Sequence, residues 1–206
     1  MILDADRERL VAACRQLAEA GLSPGSSGNV SLRAGERVLV TPTGSSLRRV
    51  APEELALAGI DGAVEPGPAP TKELAMHLAV YRRRPEASAV VHLHSPAATA
   101  VSCLPVVEGA DPLPALTPYR VMRLGRVAVA PYAAPGTEAL AAGVETRAEA
   151  HAVLLLAQHG SLVAAPSLEA AVELSEELEA AAQLTLLLRD LGARELDETQ
   201  QRELRR

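Results

Sequence analysis

The sequence has almost no aromatic residues: it has three tyrosines, no tryptophan and no phenylalanine. Proteins that bind single-stranded nucleic acids commonly stack the bases on aromatic side chains. A net charge of −6 also gives no general attraction for a phosphate backbone. We therefore expect no nucleic-acid partner. Hydrophobic residues still make up 48% of the 206 residues, so the core must consist of leucine, valine and alanine.

Cysteine is equally scarce, because the chain has only Cys14 and Cys103. Two cysteines provide neither a disulfide framework nor the paired spacing of a cysteine-based zinc site. Both are interpreted as small buried residues. Residues 1–9 are charged and lack the apolar stretch of a signal peptide, and no apolar run is long enough to span a membrane. These absences predict a cytoplasmic protein without a membrane partner.

Apolar periodicity and turn signals predict an α/β fold in a single domain over residues 1–206, with a charged tail, 193–206, expected to be mobile. Thr71 is expected to cap a helix and to place Glu73 in its first turn. The helices are predicted at 4–20, 71–84, 137–150 and 168–191, with a short one starting at Ser95. The strands are predicted at 29–33, 37–41, 56–60, 88–94, 127–130, 153–157 and 162–164.

The sharpest chemical feature is the pair His92 and His94, which closes an apolar strand. Residues i and i+2 of a strand face the same side, so the two imidazoles can converge on one metal ion. The alternative is that they are hydrogen-bonded or solvated strand residues. His159 follows a second apolar strand and is the expected third ligand. His151 lies at the opposite end of that strand and is set aside.

Glu73 is the expected acid/base residue beside such a site, because three histidine ligands leave a metal position open for substrate. A carboxylate in the first turn of a helix also stabilises the helix dipole without any catalytic role. His77 follows four residues later on the same helix face. It is more easily explained as a hydrogen-bond partner of Glu73 than as a metal ligand.

Two loops rich in hydroxyl and backbone N–H groups suggest an anion site. They are Ser26-Ser27-Gly28-Asn29 and Thr43-Gly44-Ser45. Together with the helix start at Thr71 they suit a phosphate dianion, although each loop alone is also typical of a plain turn. Lys72 is the only lysine of the chain and adds a positive charge to this site if it points inward.

Five motifs recur in an order that is specific as a set: Gly28-Asn29-Val30-Ser31, Thr41-Pro42-Thr43-Gly44, Pro70-Thr71-Lys72-Glu73, the stretch from Arg84-Pro85 to His94, and Gln158-His159-Gly160. In this order they resemble the class II aldolase/adducin family, and within it most closely the L-fuculose-1-phosphate aldolases. The resemblance covers nearly the whole chain apart from the tail.

The resemblance implies a three-layer α/β/α sandwich with a largely antiparallel central sheet. It also implies a homotetramer with active sites at subunit interfaces. Zn²⁺, or another divalent metal, is expected on His92, His94 and His159, with Glu73 as the acid/base group. A neighbouring subunit is expected to supply a tyrosine that protonates the aldehyde oxygen, and Tyr119 is the candidate. The phosphate of a sugar substrate is expected on Ser26, Ser27, Asn29, Thr43, Gly44 and Thr71.

The implied activity is that of a metal-dependent aldehyde-lyase. It cleaves a ketose 1-phosphate, similar to L-fuculose 1-phosphate, to dihydroxyacetone phosphate and an aldehyde through an enediolate. Lys72 stands where these aldolases have a second serine, and the Thr-Lys-Glu sequence is also similar to relatives that decarboxylate 3-oxo-tetronate 4-phosphates. Decarboxylation is therefore the alternative. Glu73 in place of an aspartate argues against the epimerases of the family.

Two further alternatives fit the residues less well. Adducin-like assembly modules are non-catalytic, and they lack the three metal histidines that this chain retains. Schiff-base aldol chemistry needs a desolvated lysine amine. Lys72 is the only candidate, and the neighbouring carboxylate of Glu73 favours the protonated, unreactive form of its amine.

Overall fold

The computed structural model describes residues 4–204, and these contain one seven-stranded sheet. The strands lie in the order β3-β2-β1-β4-β7-β6-β5, and only β5 and β6 run parallel. The largely antiparallel sheet is therefore confirmed. The strands are β1 Asn29–Ala34, β2 Arg37–Val40, β3 Ala56–Gly59, β4 Ala89–Leu93, β5 Val127–Ala130, β6 Val153–Leu156 and β7 Gly160–Ala165.

Helices cover both faces of this sheet. They are α1 Asp4–Glu19, α2 Leu74–Arg83, α3 Pro96–Ser102, α4 Glu138–Ala148, α5 Leu168–Leu188 and α6 Glu198–Leu204. The apolar side chains of α1, α3 and α5 pack on one face, and those of α2 and α4 pack on the other. This is the expected three-layer α/β/α arrangement. Between residues 4 and 204, no helix combines the length and apolar character needed to cross a bilayer.

Strand alternation decides which residues of the central strands meet α2. On β1, Val30 and Leu32 join the core beneath α1 and α5, so Asn29 and Ser31 point to the opposite face. On β4, Val91 and Leu93 join that same core, and His92 points to the α2 side with Val90. The layer beneath α2 therefore contains buried polar side chains, which require partners inside the protein.

The structure corrects the predicted start of α2. The helix begins at Leu74 with Glu73 as its N-cap residue, instead of being capped by Thr71. The Thr71 hydroxyl accepts a hydrogen bond from the Glu73 backbone N–H at 3.3 Å, so it stabilises the turn before the helix. This turn places the Glu73 side chain at the open end of the polar layer beneath α2, and not on the outer surface of the helix.

Other differences lie at the loops and at the tail. Gly160 and Ser161, predicted to lie in a turn, pair with β6 and belong to β7. The helical turns at Pro52–Glu54 and Arg120–Leu124 are not predicted by the sequence pattern. The charged tail contains α6, and the Leu196 N–H donates to the Ala115 carbonyl at 2.9 Å.

Cys14 is fully buried in α1, whereas Cys103 is exposed, which contradicts its interpretation as a buried residue. Burial raises the pKa of the Cys14 thiol, and the thiolate is the reactive form. We expect a thiol reagent to modify one cysteine in the native protein and two after denaturation, measured by mass spectrometry. Cys103→Ser is expected to abolish the native reaction, and equal labelling of both thiols before unfolding would contradict the packing of α1.

Candidate active site

The antiparallel central strands gather the predicted residues at one edge of the sheet. The start of β1, the end of β4 and the start of β7 lie together because β4 runs opposite to both neighbours. Asn29 is paired with His92 in this register. His94 follows β4 directly, and His159 directly precedes β7.

Two glycines, one directly before β1 and one at the start of β7, let these neighbouring strands approach the β4 backbone closely at this edge. A Cβ atom on Gly28 would lie 2.8 Å from the His92 carbonyl oxygen, and one on Gly160 would lie 2.3 Å from the Leu93 carbonyl oxygen. Gly28 also has a φ of +80°, which side chains rarely adopt. Larger residues at these positions would push Asn29 and His159 away from β4.

Three imidazoles converge at this edge. One ligand nitrogen of each of His92, His94 and His159 lies within 4.8 Å of the other two. The Nε2 atoms of His92 and His94 are 3.0 Å apart. The His92 Nδ1–H donates to the Ser161 carbonyl at 2.8 Å, which leaves the Nε2 lone pair directed at the other two rings.

The three imidazoles are held in the neutral form. Burial lowers the pKa of His92 well below its usual value, and it also lowers the pKa values of His94 and His159. Neutral imidazole is the form that binds a metal ion. The cluster therefore offers three lone pairs at neutral pH.

Unpartnered atoms around the cluster test whether a metal ion fits. Among residues 4–204, both ring nitrogens of His159 and the Glu73 Oε1 are buried without a hydrogen-bond partner. Glu73 Oε1 lies 3.5 Å from His159 Nε2, and Oε2 lies 3.3 Å from His92 Nε2. Buried polar atoms without partners are rare. Three imidazoles with an adjacent carboxylate are a suitable donor set for Zn²⁺ or a similar divalent ion.

A cavity of about 250 Å³ opens beside the cluster. Its lining includes every residue proposed from the sequence to bind phosphate, namely Ser26, Ser27, Asn29, Thr43, Gly44, Thr71 and Lys72. Glu73, His94, His159 and Ser45 of the second anion loop also line it, as do Pro135 and Gly136, which no sequence motif singled out. The anion loops and two of the three histidines, far apart in sequence, thus share one cavity.

Backbone hydrogen bonds hold the second anion loop against the start of α2. The Thr43 N–H donates to the Ala69 carbonyl, and the Thr71 N–H donates to the Thr41 carbonyl, each at 3.1 Å. Within residues 4–204, the backbone N–H groups of Gly44 and Lys72 have no protein acceptor. These two groups remain available to an anion in the cavity.

The Asn29 side chain forms hydrogen bonds within the protein, and its predicted phosphate contact would use what remains of its amide. Its buried amide donates from Nδ2 to Glu73 Oε2 at 2.9 Å, and its Oδ1 lies 2.5 Å from His77 Nε2. The predicted hydrogen bond between the side chains of His77 and Glu73 is thus replaced by a bridge through Asn29. Only one N–H of the amide is left for a substrate.

Two residues lie away from the cavity: Tyr119, which was expected to take part in catalysis, and His151, which was set aside as a metal ligand. The Tyr119 side chain is 66% exposed and precedes the turn at Arg120–Leu124. No tyrosine within residues 4–204 lines the cavity of this chain. His151 bonds to the Arg126 carbonyl at 3.1 Å, outside the cluster, in agreement with its exclusion.

Two residues to which the sequence motifs assigned no role, Ser31 and Tyr81, are buried behind the cavity. Ser31 Oγ lies 2.8 Å from both His77 Nδ1 and the Tyr81 hydroxyl. The sequence does contain a signal for them. Ser31 follows Asn29 at strand spacing, and Tyr81 follows His77 at helix spacing, so both belong to faces already occupied by site residues.

The chain matches a known protein family over most of its length. The family described as Class II Aldolase and Adducin N-terminal domain matches residues 8–186. The 3-oxo-tetronate 4-phosphate decarboxylase of Haemophilus influenzae is 40% identical over 97% of this chain and 96% of its own. The L-fuculose phosphate aldolase of Escherichia coli O6:H1 is 34% identical over 86% of this chain and 81% of its own.

A solved structure gives the same result for the fold. YgbL from Klebsiella pneumoniae superimposes with a TM-score of 0.94 at 36% identity and covers 100% of both chains. The family match spans most of the sequence and includes all three histidines, Glu73 and the anion loops. The chain therefore belongs to the class II aldolase and adducin family.

Proposed function

We propose that this chain is a metal-dependent lyase that decarboxylates a 3-oxo-tetronate 4-phosphate. The observation that carries the proposal is the cluster of three neutral imidazoles with Glu73, which lies beside a cavity lined by anion-binding groups. The choice of substrate is supported by the higher identity to the decarboxylase than to the aldolase described above. The proposal therefore prefers decarboxylation, the alternative from the sequence, over aldol cleavage, which was the main expectation.

The reaction requires one bond to break and one proton to be delivered. In a 3-oxo acid, loss of CO₂ breaks the C1–C2 bond and leaves the electron pair as an enediolate over C2 and C3. A proton added at C2 gives dihydroxyacetone phosphate. His92, His94 and His159 would hold the divalent ion, which supplies Lewis acidity to substrate oxygen when it is bound.

Glu73 is the residue placed to move the proton. Its Oε1 is buried and unpartnered, while its Oε2 accepts from Asn29. In decarboxylation, the carboxyl group would donate its proton at C2 and regain one from water. In the reverse sense, the carboxylate would remove a proton from the same carbon. The one carboxyl group thus serves as acid and base at one atom.

The substrate phosphate would occupy the loop side of the cavity. The N–H groups of Gly44 and Lys72, the hydroxyl of Thr71 and the Lys72 ammonium provide donors there. A dianion bound at this end directs the other end of a four-carbon substrate toward the histidines. The phosphate would thereby set which carbon reaches Glu73.

Lys72→Met is expected to raise KM for the phosphorylated substrate about 10- to 150-fold, since one charge-assisted hydrogen bond is worth about 1.5–3 kcal/mol. Lys72→Arg keeps the charge and is expected to lose less. Arg15→Met removes an exposed charge on α1, across the sheet from the cavity, and is the control. Unchanged KM in Lys72→Met, or an equal change in Arg15→Met, would remove Lys72 from the phosphate site.

Aldol cleavage is the second candidate, because the aldolase relative also aligns over most of the chain. It would use the same enediolate but would need a group that takes the proton of the hydroxyl that becomes the aldehyde, and that acts as the acid for the aldehyde oxygen in the condensation direction. This chain's own cavity contains no tyrosine among the described residues. Tyr119 of a neighbouring subunit is the proposed acid, within a homotetramer. Exposed Tyr119, Met122, Leu187 and Leu191 support such an assembly, and light scattering would measure its mass.

The deciding experiment compares substrates on one preparation of the metal-loaded protein. We expect CO₂ release from 3-oxo-tetronate 4-phosphate, and a kcat/KM for it far above that for L-fuculose 1-phosphate. Faster release of aldehyde from the ketose phosphate would favour the second candidate. Turnover of neither compound, with metal bound, would contradict both.

A further inference from the structure

A continuous row of hydrogen bonds runs from the cavity into the layer beneath α2. It links Glu73 to Asn29, Asn29 to His77, His77 to Ser31 and Ser31 to Tyr81. The distances are 2.9, 2.5, 2.8 and 2.8 Å in that order. All five side chains are buried, and Ser31 and His77 are completely so. The row is formed by one face of β1 and one face of α2.

The chemistry of the members fixes the direction of every bond. A carboxylate only accepts, so the Asn29 amide must present its NH₂ group to Glu73 and its carbonyl to His77. That carbonyl also only accepts, so the hydrogen of the neutral His77 ring must be on Nε2. The other ring nitrogen, Nδ1, then accepts.

The remaining two bonds follow from this tautomer. Ser31 has one hydroxyl hydrogen and must donate it to His77 Nδ1. The contact between Ser31 and Tyr81 therefore uses the hydrogen of Tyr81. The Ser88 carbonyl is the other possible acceptor for Tyr81, but it lies farther away, at 3.4 Å. The row therefore donates in one direction, from Tyr81 to Glu73.

We propose that His77, Ser31 and Tyr81 are positioning residues that lock the Asn29 amide, so that Glu73 Oε2 is held as an acceptor and Oε1 is the atom that exchanges protons with substrate. The inference rests on the proposed role of Glu73 and deepens it to a single oxygen atom. Without the row, the Asn29 amide could rotate and present its carbonyl to the carboxylate. That orientation would repel Glu73 and change the position of Oε1.

Two features of the chain make the row directly observable in the wild-type protein. Asn29 is its only asparagine, and His77 is one of five histidines. With ¹⁵N-asparagine, NMR is expected to show one amide pair with a downfield, exchange-protected proton. With ¹⁵N-histidine, His77 is expected as the Nε2–H tautomer at neutral pH. The Nδ1–H tautomer, or a freely exchanging Asn29 amide, would overturn the proposal whatever the variants do.

Variants of His77 separate positioning from packing. His77→Leu removes both ring nitrogens and leaves the buried Asn29 carbonyl without its donor. The expected result is a loss of kcat of about 10–100-fold, the usual cost of an unsatisfied buried polar group, with little change in KM. His77→Gln supplies one donor and one acceptor and is expected to recover most of the lost kcat. Unchanged kcat in His77→Leu, or no recovery in His77→Gln, would overturn the positioning role.

The far end of the row is tested with a matched pair of tyrosines. Tyr81→Phe removes the first donor, but Ser31 can still donate to His77, so the loss of kcat should be smaller than in His77→Leu. Tyr132 is exposed, and Tyr132→Phe is the control. A larger loss in Tyr81→Phe than in His77→Leu would contradict the direction of the row. Failure of the proposed function instead appears as normal proton exchange in Glu73→Gln with the NMR signature intact.

Discussion

Glu73→Gln is expected to slow proton exchange at carbon by about 10²–10⁴-fold, the usual contribution of a general acid or base. The substitution keeps the size of the side chain and its hydrogen bond from Asn29, but it removes the group that carries the proton. The measurement is exchange of the hydroxymethyl protons of dihydroxyacetone phosphate with deuterated water, followed by ¹H NMR. This half-reaction is common to decarboxylation and to aldol cleavage. It therefore tests Glu73 without deciding the substrate.

The control for this experiment is Glu53→Gln, which removes an exposed carboxylate at the surface. Metal content should be nearly unchanged in Glu73→Gln if the three histidines are the essential ligands. Full turnover should fall in parallel with exchange. Near-normal exchange in Glu73→Gln would reduce this carboxylate to a structural partner of Asn29 and would remove the proposed mechanism.

Removal of the divalent metal is expected to abolish turnover, and its return is expected to restore it. His94→Ala leaves two imidazoles and should weaken metal binding more than the roughly 10–100-fold loss that follows removal of an outer partner. Metal at about 100 times its Kd should also stabilise the folded wild type by about 2.7 kcal/mol. Competition with a chromophoric chelator measures the affinity, and thermal unfolding measures the stabilisation.

His151→Ala is the matched control for the metal experiment. His151 lies outside the cluster and bonds only to a backbone carbonyl among the described residues. Its substitution should leave the metal affinity unchanged. Full affinity in His94→Ala, or its loss in His151→Ala, would show that the ion is held elsewhere.

The sequence predicted the sheet and the histidine cluster because both depend on local patterns. Strand alternation placed His92 and His94 on one side, and apolar runs located the strands before and after His159. The anion loops were found through their hydroxyl and glycine content. Their meeting in one cavity follows from the strand order of the sheet, which the local patterns do not specify. The family resemblance implied only a largely antiparallel sheet and the set of site residues.

The predictions that were wrong depend on how helices and strands pack against each other, which a local sequence pattern does not specify. The single-element pattern of Glu73 and His77 suggested a direct bond, whereas packing of α2 on β1 inserts Asn29 between them. Cys103 lies in an alanine-rich segment typical of a core, yet it ends α3 at the surface. Tyr119 was chosen through the resemblance and stays a prediction, since a residue supplied by another subunit would leave no signal in the periodicity of its own chain.

The close packing of Gly28 and Gly160 against β4 affects the entropy change that would accompany metal binding. Gly28 and Gly160 leave no room for a side chain beside the His92 and Leu93 carbonyls, so the separation of the imidazoles is set by neighbouring backbones in mid-sheet. The three imidazoles are ordered when the sheet forms, so little conformational entropy would be left to lose if a metal ion binds them. The metal-free protein should therefore fold on its own, unlike zinc fingers, whose metal binding is coupled to folding.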